Sequence, residues 1–81
     1  MKSTYHDLAG MLSDISGTSY ENCLTRLKQN SAVDQFGSIS ASGLRSVAGG
    51  LHLSNSSLAS SLSQRTGISF ENALTYLNHG D

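Results

Sequence analysis

The chain of 81 residues has no proline, one cysteine and few charges, with Asp, Glu, Lys and Arg together making up 14%. A single thiol excludes an intramolecular disulfide and leaves the redox compartment open. Five Lys and Arg against six Asp and Glu give a net charge of −1. That balance supplies neither the basic field of a strong nucleic-acid binder nor the acidic run of a disordered tail. No continuous apolar stretch occurs, so neither a membrane span nor a signal-peptide core is expected, and a soluble cytoplasmic protein is the default.

Catalytic and metal-binding patterns are lacking as well. His6, His52 and His79 are scattered, with no His-x-x-x-His or Cys-x-x-Cys pairing beside them, so no metal is expected. Gly49-Gly50 is a lone pair and not part of a phosphate loop. The abundant serines include none in a Gly-x-Ser-x-Gly elbow, and no acidic pair is placed together by spacing. The reading is of a chain that is not an enzyme and needs no cofactor.

What the sequence does contain is a repeat. Residues 12–27 and 62–77 align without a gap at 9 identical positions of 16, with Leu8/Leu58 and Ala9/Ala59 also matching upstream. An internal duplication is the expected origin, with repeats spanning 4–30 and 54–80 joined by 31–53 in a single domain, 1–81. Each repeat reads as two helices across a tight turn. Leu8, Met11, Leu12 and Ile15 recur at i, i+3, i+4 and i+7, an apolar stripe about 100° wide. Gly17 then suits a left-handed helix terminus, and Ser19 an N-cap. Tyr20, Cys23, Leu24 and Leu27 form the second stripe, matched by Phe70, Ala73, Leu74 and Leu77. Cys23, opposite Ala73, reads as a buried structural thiol.

The repeats differ in one respect. Ser61 and Arg65 stand where the first has Met11 and Ile15, so the first helix of the second repeat keeps only Leu58 and Leu62. A middle helix starting near Ser42, with Leu44, Val47, Ala48 and Leu51 on one face, is the expected cover. Residues 31–43 read as a loop anchored by Val33, Phe36 and Ile39, and Leu51-His52-Leu53 could alternate as a short strand. The expected fold is all-α: about five short helices, two homologous hairpins flanking a central one.

On the second helix of each hairpin the outward positions are Glu21, Asn22, Thr25, Arg26 and Gln29, and Glu71, Asn72, Thr75 and Tyr76. The glutamates suit the helix dipole. The paired threonines have no such structural reason, and an outward tyrosine is characteristic of binding patches.

Leu62-Ser63-x-x-x-Gly67-Ile68-Ser69-x-x-x-Ala73 resembles the helix-turn-helix of bacterial and phage regulators. That resemblance implies a recognition helix over 69–78 and a second over 19–29, although Thr66 and Ser16 stand where the family prefers an apolar residue. Residues 62–69 also look like the helix-turn segment of ribbon-helix-helix repressors and antitoxins. Gly67-Ile68-Ser69-x-Glu71-x-Ala73-Leu74-x-x-Leu77, with Gly80-Asp81, is similar to ubiquitin-associated-type helical modules.

Two functions compete on this reading. The first is a small protein–protein interaction adaptor, inhibitor or regulator using the nine outward residues, as monomer or homodimer. The alternative is a DNA-binding regulator or antitoxin. A typical DNA site uses about 6–10 phosphate contacts; this chain offers Lys2, Arg26, Lys28, Arg45 and Arg65.

Overall fold

The computed structural model describes residues 1–80. Five helices follow one another: α1 (Tyr5–Ser16), α2 (Tyr20–Gln29), α3 (Ala41–Gly50), α4 (Asn55–Thr66) and α5 (Phe70–His79). Among the described residues there is no sheet, only two isolated antiparallel bridges. No helix among them is long and apolar enough to cross a membrane.

The two hairpin turns are built the same way. Gly17 and Gly67 take φ of 76° and 79°, and their N–H groups donate to the Ser13 and Ser63 carbonyls. Such a conformation is open to glycine at no steric penalty. Ser19 and Ser69 then cap α2 and α5, each hydroxyl accepting from the N–H of Asn22 or Asn72. A second feature repeats just before each glycine. Ser16 Oγ donates to the Leu12 carbonyl and accepts from the Thr18 N–H. Thr66 Oγ1 does the same between Leu62 and Ile68. Hydroxyls at 16 and 66 therefore fasten a helix end to its turn, a job an apolar residue could not do.

Inside the hairpins the leucines carry the core. Leu8, Leu12 and Leu27 are buried, as are Leu58, Leu62 and Leu77, and Cys23 and Ala73 are fully enclosed. Both stripes nevertheless run out at their ends. Ile15, Tyr20 and Phe70, expected in the core, are 37%, 38% and 41% exposed. All three lie within two residues of the turns at 17–19 and 67–69, at the edge of the packed stripe.

The middle helix is buried as expected, with Leu44 fully enclosed and Val47 2% exposed. It starts at Ala41, capped by Ser40, and runs through Gly49-Gly50. Its main neighbours are α5 and α2, with a smaller contact to α4. It thus covers the second helices of both hairpins more than the depleted α4. Gly43 permits its close approach, because a Cβ there would stand 2.6 Å from the Asn30 carbonyl oxygen. Leu51-His52-Leu53 forms a turn with His52 at φ 62° and not a strand.

Residues 31–40 are ordered as a small looped ladder. Lys2 bridges Ser38 and Val33 bridges Ile39. Val33 and Ile39 are anchored in the core, but Phe36 is 71% exposed, contrary to its expected anchoring role. The reason is a turn. The Gly37 N–H donates to the Asp34 carbonyl at 3.1 Å, which places Phe36 at the third position of a four-residue reversal. Asp34 Oδ1 accepts from the N–H groups of Phe36 and Ser38 at 2.8 and 2.9 Å. The Ser38 N–H in particular holds the Asp34 carboxyl below its ordinary value, with the Phe36 N–H and Lys2 helping.

Candidate interaction surface

The outward faces of α2 and α5 are built by their caps. Because Ser19 and Ser69 fix where each helix begins, Glu21 and Glu71 fall in a first turn, next to unpaired backbone N–H groups that favour an anion. Glu21, Asn22, Thr25, Arg26 and Gln29 are all exposed, and so are Glu71, Asn72 and Thr75. Tyr76 is different. It is half-buried, and its hydroxyl donates to the Ile39 carbonyl, so it ties α5 to the ladder segment instead of standing outward. Helical periodicity places it correctly for an isolated hairpin; the segment that covers it comes from elsewhere in the chain.

The structure adds aromatics that periodicity assigns to the core. Phe70 opens α5 with Leu74, half-buried, one turn further along. Tyr20 and Leu24 occupy the same places on α2. The two aromatics have different neighbours. The Tyr20 ring lies over His6 of α1, with centroids 6.2 Å apart and planes 12° from parallel, and its hydroxyl is hydrogen-bonded to His6 Nδ1. In the second hairpin Ser56 occupies the place of His6, so Phe70 has no ring to stack on. The signal for this difference is in the sequence, in the His6/Ser56 mismatch between the hairpins.

Charge is distributed unevenly over the surface. Lys2 Nζ donates to the Phe36 carbonyl at 2.8 Å. Arg45 Nη1 donates to the carbonyls of Leu77 and Gly80 at the end of α5. Arg65 pairs with Asp14 across α4 and α1 at 2.7 Å. Three of the five cations are thereby occupied within the fold. Arg26 and Lys28 lie in the last turn of α2, and α5 carries no Lys or Arg.

No family model, characterised protein or solved structure matches this chain.

Among the described residues, no group of three or more His, Cys, Asp or Glu is placed to hold a metal ion. Cys23 is buried, and desolvation pushes its thiol up despite the Ser16 hydroxyl and the Arg26 charge, a shift that disfavours the thiolate. Two clefts lie along α1 and α4. One of about 480 Å³ is walled by Lys2, Asp7, Met11, Leu62 and Arg65 among others. The second, of about 460 Å³, is a shallow depression between Ile15 and the serine face of α4.

Proposed function

We propose that the chain is a non-enzymatic protein-binding module, an adaptor, inhibitor or regulator, that presents the outward faces of α2 and α5. The observation that carries this reading is Phe70, an aromatic 41% exposed at the start of a helix that bears no Lys or Arg. Around it, Leu74 adds partly exposed apolar surface, while Glu71 and Thr75 supply a polar border. An apolar centre inside a polar rim is the common anatomy of a protein interface. Tyr20 with Glu21 and Thr25 repeats the arrangement on α2. A cytoplasmic location belongs to the same proposal.

The DNA-binding alternative draws less support. A recognition helix needs cations near phosphates, and α5 offers only glutamate in its first turn and His79 in its last. Of the chain's cations, Arg65 is neutralised by Asp14 and Arg45 is committed to the carbonyls at the end of α5.

Recovery of partners with the purified full chain, with and without nuclease, tests the proposal. Phe70→Ser and Thr75→Arg should each abolish recovery while leaving the fold intact by circular dichroism, and Ser46→Arg on α3 should not. Recovery that disappears with nuclease treatment would favour the DNA alternative. Recovery indifferent to both α5 variants would show that the contact lies elsewhere.

A further inference from the structure

Phe36 and the larger cleft lie side by side, and each has what the other lacks. Phe36 is the most exposed of the large apolar side chains among the described residues, at 71%. Its backbone is held by the Asp34 carboxylate, by the turn closed at Gly37 and by Lys2 Nζ on its carbonyl. An apolar group displayed on a backbone already fixed loses little conformational freedom when it is buried. Lys2 also lines the cleft of about 480 Å³, so the turn stands at the cleft's rim. Beneath that rim lie Met11 and Leu62, and the volume is large enough to admit an aromatic ring.

A projection and a recess on one face are what a two-fold contact needs, in which each copy gives its projection to the other's recess. Charge points to the same occupant. The rim carries Lys2 and Asp7, of opposite sign, while Arg65 is paired with Asp14. Such a rim favours neither a strongly acidic nor a strongly basic partner. A rim carrying both signs can be self-complementary, with Lys2 of each copy opposite Asp7 of the other. An ammonium has three donors, so the Lys2 bond to the Phe36 carbonyl leaves it able to make this contact too.

We propose that this face pairs two copies of the chain, each Phe36 seated in the other's cleft between α1 and α4, with Lys2 and Asp7 crossing at the rim. This surface is separate from the α2 and α5 faces, so the module would present those faces twice.

Sedimentation equilibrium of the full chain, from about 1 µM to about 1 mM, tests it. The chain should show a monomer–dimer equilibrium, and Phe36→Ser, at an exposed position, should weaken it at least tenfold without loss of helicity. Lys2→Glu and Asp7→Lys should each weaken self-association, since both rim contacts then become repulsive. Mixing those two variants should restore a heterodimer. In the mixed pair the native Lys2 of one chain meets the native Asp7 of the other, and the two substituted side chains meet as a reversed pair of opposite charges. A chain monomeric throughout, a dimer indifferent to Phe36→Ser, or a mixture that fails to pair would each overturn the proposal.

Discussion

Arg45 of α3 donates from one guanidinium nitrogen to the Leu77 carbonyl at 2.5 Å and to the Gly80 carbonyl at 3.0 Å. The negative end of α5 is thus capped by a cation from a different helix, where the macrodipole favours positive charge. Arg45→Ala should destabilise the protein by about 1.5–3 kcal/mol, the range for hydrogen bonds to a charged group. Arg45→Lys should recover only part of this, because an ammonium cannot reproduce the geometry of the guanidinium. Urea unfolding of the three proteins measures both, and equal stability of Arg45→Ala and the parent would remove the cap from the account.

Burial ranks the leucines of the second hairpin helices. Leu27 and Leu77 are fully enclosed, whereas Leu24 and Leu74 are half-buried. Leu77→Ala should cost about 2–5 kcal/mol, as truncation in a core does. Leu74→Ala should cost clearly less, and Thr75→Ala no more than about 0.5 kcal/mol. The order is the test: a Leu74 loss as large as that of Leu77 would place α5 in a different rotation.

Two helical glycines should respond to alanine with opposite signs. Nothing lies within 4 Å of a Cβ built at Gly10, so Gly10→Ala should stabilise α1 by up to about 1 kcal/mol. At Gly43 the new methyl would meet the Asn30 carbonyl oxygen at 2.6 Å and the Ala32 Cα at 3.0 Å, both backbone atoms. Gly43→Ala should therefore destabilise by about 1–3 kcal/mol. Thermal melts of the pair decide it.

Asp34 gives the ladder segment a dependence on acid. Its folded pKa lies below the ordinary 3.8, chiefly through the Ser38 N–H. Its contribution is therefore complete above the ordinary value and lost as the pH falls through the lower folded one. Acid titration followed at the Phe36 and Ser38 amides by NMR should show the turn loosening in that window. Asp34→Asn, which keeps an acceptor oxygen, should remove the pH response and retain the turn, and Asp34→Ala should lose both. Persistence of the response in Asp34→Asn would assign it to another group.

The local chemistry is readable from the chain. Gly17, Gly67, Ser19 and Ser69 announce their turns because caps are decided by neighbours in sequence, and Leu12 or Leu62 by a stripe one turn deep. Periodicity gives the direction a side chain points but not what stands there. Tyr20, Phe70 and Ile15 point along the stripe yet stay more than a third exposed. Tyr76 points outward and meets residue 39. Phe36 is legible by another route: Asp34 and Gly37 stand at the first and fourth positions of a turn, which puts Phe36 near its apex. The density of apolar residues around it, with Val33 and Ile39 three positions to either side, masks that signal.

Ile39 joins three parts of the chain that are far apart in sequence. Its N–H donates to the Met1 carbonyl at 2.8 Å, its carbonyl accepts from the Tyr76 hydroxyl, and its side chain is in the core. Each hairpin closes through neighbours in sequence and can form early, on the microsecond scale of local contacts. The junction at Ile39 has to wait until residues 1, 39 and 76 have all arrived. Hydrogen exchange at the Ile39 amide should proceed only through global unfolding, at a rate shared with the most protected amides of α1 and α5.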